Sequence, residues 1–123
     1  DRIEIIEPLD VVDFHNFAAN SHIILTDSGG VQEEAPSLTK PVVVLRDTTE
    51  RPEGVEAGTL KLAGIEKQNI YDLTKELLTN EDMYQEMSQA ANPYGDGEAS
   101  QRICENIKYF YGVINNKPES FRV

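Results

Sequence analysis

Apolar positions along the chain fall into two alternating textures. Short runs of strand length, rich in β-branched residues, lie at Ile3-Glu4-Ile5-Ile6, His22-Ile23-Ile24-Leu25, Val42-Val43-Val44-Leu45 and Thr59-Leu60-Lys61-Leu62-Ala63. Between and after them apolar residues recur at helical spacing. Val11, Phe14, Phe17 and Ala18 mark a helix over 10–20 capped by Asp10, and Ile70, Leu73, Leu77 and Leu78 mark one over 70–78 capped by Asn69. Met83, Met87 and Ala90 predict a further helix over 82–91, and Ile103, Ile107 and Phe110 one over 98–111. The run 42–45 has no polar position, as expected of a parallel strand covered on both faces, whereas 59–63 alternates like an edge strand. Alternation of strands with helices predicts an α/β fold with a three-layer parallel sheet.

The most informative junction is Thr26-Asp27-Ser28-Gly29-Gly30-Val31-Gln32-Glu33-Glu34, where an apolar run meets two glycines and then helix formers. Ser28 is a good N-cap, and Gly29 and Gly30 let the backbone approach a bound group closely. The first amides of a helix have no partner within it and carry the positive end of its dipole, so such a turn suits a phosphate without a Lys or Arg. Glu34 falls one helical turn after Gly30, and its carboxylate at that spacing can accept hydrogen bonds from a vicinal diol such as a ribose. A Gly-Gly turn also serves packing alone in many α/β proteins. The helix predicted over 29–38 contains Pro36, which should kink or shorten it.

A second polar segment, Arg46-Asp47-Thr48-Thr49-Glu50-Arg51-Pro52-Glu53-Gly54, follows a strand at its carboxyl end, where open parallel sheets bind ligands. Arg51 there suits either a charge-assisted contact to phosphate or sugar oxygens or a surface ion pair with the surrounding acids. Asn92-Pro93-Tyr94-Gly95-Asp96-Gly97 is a dense turn signal, and residues 113–123 lack periodicity and are expected to be a loosely held tail.

At 123 residues and 39% hydrophobic content, the chain has the size of one domain with its own core. A formal charge of -11 argues against nucleic-acid and anionic-membrane surfaces, which require basic patches. A local helix start can still hold an anionic nucleotide. The single cysteine, Cys104, sits where helical periodicity can turn it inward as an inert thiol. His15 and His22 have no matching Cys or carboxylate spacing, so no metal is expected. The sequence carries no signal peptide and no apolar run approaching ~18 residues, which points to the cytoplasm. It opens on Asp1 and runs straight into a strand-like segment, as a piece of a longer protein would.

Taken in order, Thr26 to Ser37, Arg46 to Glu53 and Asn92 to Gly97 closely resemble the bacterial non-hydrolysing UDP-N-acetylglucosamine 2-epimerases, over nearly the whole chain apart from the tail. The resemblance implies a two-domain GT-B architecture, with residues 1–112 the later part of its C-terminal, Rossmann-like UDP-binding domain. It implies interconversion of UDP-N-acetylglucosamine and UDP-N-acetylmannosamine by elimination of UDP to a 2-acetamidoglucal and its re-addition. By the same likeness Ser28, Gly29 and Gly30 hold the diphosphate, Glu34 the ribose, and Arg51 the phosphate or sugar side, while the segment from Leu9 to Phe14 lines the uracil pocket. No cofactor is implied. The partners are a UDP-sugar, the N-terminal domain of the parent chain and, compatibly, a second copy. The family's catalytic carboxylates match no position here, so the fragment alone is expected to be inactive. A GT-B glycosyltransferase is the nearest alternative. A flavodoxin-like receiver would want an acidic pair and a late Lys, and only Asp27 sits at a strand end.

Overall fold

The computed structural model describes residues 2–121. Its frame is a three-stranded parallel sheet in the order β1-β2-β3, made of β1 (Ile24–Thr26), β2 (Val42–Val44) and β3 (Leu60–Leu62). The register aligns Ile24, Val42 and Leu60 across the sheet, and likewise Thr26, Val44 and Leu62. Central β2 is buried at every residue, which is why its sequence is an unbroken apolar run. β3 lies at a sheet edge, as its alternation required.

Alternate side chains of β2 enter two separate cores. Val43 packs with Ala63, Leu77, Met83 and Met87 beneath α4 (Lys67–Thr79) and α5 (Glu81–Gln89). Val42 and Val44 pack with Ala35 and Leu60 on the other face, beneath α2 (Gly29–Glu34) and the 3-10 turn Ala35–Leu38. Full burial of each Val, Leu or Met side chain among these contributes roughly 1.5–3 kcal/mol before entropy is counted. The short α3 (Pro52–Glu56) follows β2 and contacts β3, so two crossovers stepping the same way along the sheet precede the passage of the chain to its opposite face. The result is the expected three-layer α/β unit.

Pro36 acts as anticipated: α2 gives way at Ala35 to the 3-10 turn, which ends at Thr39 in the left-handed conformation (φ 58°). Asp10 caps α1 (Val11–Asn20), accepting from the amides of Val12 and Asp13 at 3.0 Å each.

Several expectations are corrected. Ile3 to Ile6 form no strand and stand exposed, because among the described residues no strand lies alongside to take their backbone hydrogen bonds. Val11 and Phe17 are exposed and only Ala18 of α1 is buried, since that helix rests chiefly on the narrow 3-10 turn. α4 begins at Lys67 with Glu66 at its cap position, not Asn69. Leu78 points outward, being about 100° around the helix from buried Leu77. In α6 (Ala99–Phe110) no residue is buried: Ile103, Ile107 and Phe110 form an exposed apolar stripe, and Cys104 is exposed rather than turned inward. Of the tail, Arg122 and Val123 lie outside the described residues; residues 113–121 form no helix or strand, and the Phe121 ring sits 5.6 Å from the Arg102 guanidinium.

Candidate functional site

The loops that leave the carboxyl ends of β1 and β2 carry the polar residues singled out above, at the edge of the sheet where α/β folds bind ligands. After β1, the amide of Ser28 donates to Thr26 Oγ1 at 3.0 Å, shaping the turn. Ser28 is extended (φ -81°, ψ 127°) and caps α2, its Oγ accepting from the amide of Val31 at 3.5 Å. Gly29 and Gly30 are the first two helical residues, whose N–H groups α2 cannot use itself. A Cβ on Gly30 would meet only Ser28 Oγ at 3.9 Å and Glu34 Oε1 at 4.0 Å. The Glu34 carboxylate therefore stands beside the open glycine face, as its one-turn spacing required.

Glu34 also reaches across to α1, with Oε2 3.1 Å from His15 Nε2. Phe14, the neighbour of His15, is half-buried, and the two rings are tilted with centroids 6.0 Å apart. Leu9 is half-buried just before the cap of the same helix. α1 is thus tied to the rim of the glycine turn through His15.

The loop after β2 folds over α2. Thr49 Oγ1 donates to Gln32 Oε1 at 2.5 Å and accepts from the amide of Arg51 at 3.0 Å. Arg51 Nε donates to Glu33, and its Nη1 donates to the Glu50 carbonyl at 3.2 Å. Arg46 Nη1 donates to Glu50 Oε2 at 2.8 Å. The Glu50 backbone amide, donating to the carboxylate, with Arg46 and Arg51 nearby, lowers the Glu50 carboxyl from its ordinary value. Each ion pair here is substantially exposed, so exchange of a partner for a ligand anion costs little.

The third motif joins the same rim. The ring of Tyr94 reaches Gly54 of α3, and a Cβ on that glycine would overlap both the Tyr94 hydroxyl and Leu60. Burial, chiefly, raises the Tyr94 phenol above its ordinary value, and Glu53 adds to it. A groove of about 650 Å³ runs from Glu33 and Glu34 past Tyr94 and Asp96 to Arg102 and Phe121. Asp96 receives both Nη1 and Nη2 of Arg102, at 2.7 and 2.5 Å.

The structure therefore gathers Ser28, Gly29, Gly30, Glu34 and Arg51 at one rim, with Phe14 adjoining through His15 and Leu9 farther along α1. Arg51 is engaged by Glu33. Residues that sequence inspection did not single out are Gln32, Thr49, Arg46 and Glu50; for Gln32 the signal available was a polar residue at a helix position that must face the sheet. Among the described residues, no three His, Cys, Asp or Glu side chains gather as a metal site, and no helix is long and apolar enough to cross a membrane.

The profile of the UDP-N-acetylglucosamine 2-epimerase family matches residues 1–108. The UDP-N-acetylglucosamine 2-epimerase of Bacillus subtilis (strain 168) is 71% identical over 121 residues, 98% of this chain and 32% of its own. A crystal structure of a UDP-N-acetylglucosamine 2-epimerase is 70% identical and superimposes with a TM-score of 0.94, over 99% of this chain and 33% of its own. The S. aureus MnaA protein solved with UDP is 65% identical, with a TM-score of 0.88 over 98% of this chain and 33% of its own. The chain spans about a third of the length of these relatives. Such relatives have the GT-B fold, of which the three-layer unit described here forms part.

Proposed function

Because the chain belongs to the UDP-N-acetylglucosamine 2-epimerase family, we propose that residues 1–112 are the later part of the C-terminal, UDP-holding domain of an enzyme that interconverts UDP-N-acetylglucosamine and UDP-N-acetylmannosamine. The observation that carries this is the shared mouth of Gly30 and Glu34: the carboxylate stands 4.0 Å from the point where a Gly30 side chain would begin. Diphosphate and ribose of one nucleotide are adjacent, and these two residues supply adjacent groups of matching chemistry.

In this assignment the amides of Gly29 and Gly30 and the Ser28 hydroxyl bind the diphosphate. Glu34 accepts from the ribose hydroxyls, leaving His15 or sharing it. Arg51 exchanges its contact with Glu33 for phosphate or sugar oxygens, and the Leu9 to Phe14 segment borders the uracil. In the elimination, a base removes the proton at C2, the C1–O bond breaks, and its electron pair leaves on UDP. This chain holds the departing UDP and stabilises that charge, then returns UDP to C1 while a proton adds to the opposite face of C2, which inverts that centre. The base belongs to the N-terminal domain of the parent, the partner this chain requires. A homodimer and a cytoplasmic place belong to the same proposal.

Titration calorimetry of the intact protein with UDP tests it. Glu34→Ala should weaken binding roughly tenfold or more, the worth of a charge-assisted hydrogen bond. Unchanged affinity in that variant would overturn the assignment. The 123-residue chain by itself should show no epimerisation; turnover above background would contradict the placing of the base elsewhere.

A further inference from the structure

Gln32 is fully buried, at 0% exposure, yet it is an amide between Val31 of α2 and Ala35 of the following 3-10 turn, which pack against β2. Its donor group is unused: Nε2 is buried and has no partner among the described residues. A buried donor left unmade weakens a fold, and an apolar side chain of the same shape removes that cost. The contribution of Gln32 therefore lies in what its other atom does. Oε1 accepts from Thr49 Oγ1, and Thr49 Oγ1 in turn accepts from the amide of Arg51. The next residue on α2, Glu33, receives the Arg51 guanidinium. Two consecutive residues of one helix thus hold the segment from Thr49 to Arg51, one from within and one at the surface.

We propose that Gln32 and Thr49 are positioning residues for the nucleotide site, registering the loop after β2 on the helix that carries Gly29, Gly30 and Glu34. This rests on the assignment of that site to UDP. The relay fixes the backbone from which Arg51 projects. Without it the loop keeps its length and charge but loses its register, and Arg51 reaches the nucleotide from a spread of positions rather than one.

The test uses Gln32→Met, Thr49→Val and Arg51→Gln, singly and paired, in the intact protein, with UDP affinity, KM, kcat and melting temperature measured for each. Gln32→Met is expected to melt at or above the wild-type temperature while binding UDP roughly tenfold more weakly, one interaction of ordinary strength. Thr49→Val should lose a similar factor, and the pair no more than either alone. In the Arg51→Gln background, Gln32→Met should have no further effect on UDP. A lower melting temperature with unchanged UDP affinity, or failure of Gln32→Met to fold, would show that the amide serves packing alone and overturn the relay. An equal loss in the Arg51→Gln background would do the same. Absence of UDP binding in the wild type would overturn the nucleotide assignment itself, and the relay with it.

Discussion

The carboxylate of Glu50 lies against Gly29, so that a Cβ on the glycine would stand 2.5 Å from Oε1 and 3.5 Å from Cδ. It is held there with Arg46 at 2.8 Å, and it is kept ionised. A diphosphate approaching the same glycine meets a like charge and an arginine already engaged. Glu50→Gln removes the repulsion and frees Arg46. The expected outcome is UDP binding about two- to fivefold tighter at low salt, the size of an exposed charge interaction, with the gain shrinking as ionic strength rises. Calorimetry at two salt concentrations checks it, and equal affinities at low salt would be the contrary result.

Gly30 and Gly54 should respond to alanine in opposite ways. At Gly30 the space is open and φ is not positive, so Gly30→Ala should leave stability unchanged or raise it by about 0.4–1 kcal/mol, while the methyl group obstructs the diphosphate. At Gly54 the methyl would overlap the Tyr94 hydroxyl and Leu60, whose side chain is in the core. Gly54→Ala should cost about 1–3 kcal/mol by overpacking. Thermal melts and UDP titrations of the two variants separate a glycine needed by a ligand from one needed by the fold.

Asp96 and Arg102 set an acid limit on the last helix. Hydrogen bonds from the Arg102 side chain, and then from the Glu98 amide, hold the Asp96 carboxyl well below its ordinary value. A carboxyl with a depressed folded-state pKa contributes stability that is fully present above the unfolded value of about 3.9 and is lost progressively as pH falls from there through the folded value. Asp96→Asn should therefore melt lower than wild type at pH 6, with the difference closing as pH drops below about 4. Melting curves from pH 6 to pH 2 would show it narrowing; a difference as large at pH 2 as at pH 6 would mean the contribution is not the charge.

What was legible in the sequence was what depends on neighbours along the chain. The run Val42 to Val44 declared a strand buried on both faces, Ser28 with two glycines declared a capped helix start, and the spacing from Gly30 to Glu34 placed the carboxylate at the turn. What was not legible depends on elements that meet across the fold. Periodicity marked an apolar stripe on α6 but not that it stands uncovered, so Cys104 was expected inside and is outside. Ile3 to Ile6 have strand composition, but a strand also needs a neighbour, and composition does not supply one. Arg51 could be matched to an anion but not to Glu33 in particular, and Gln32 was hidden in a polar run, though it is the member of that run that points into the sheet.

The most direct test of the central claim is a UDP titration of the ¹⁵N-labelled intact protein, following backbone amides. If the nucleotide sits on the glycine turn, the largest shifts will be those of Gly29 and Gly30, and Glu34→Ala will raise the UDP concentration needed to produce them. Saturable shifts elsewhere, with these two amides unmoved, would contradict the account.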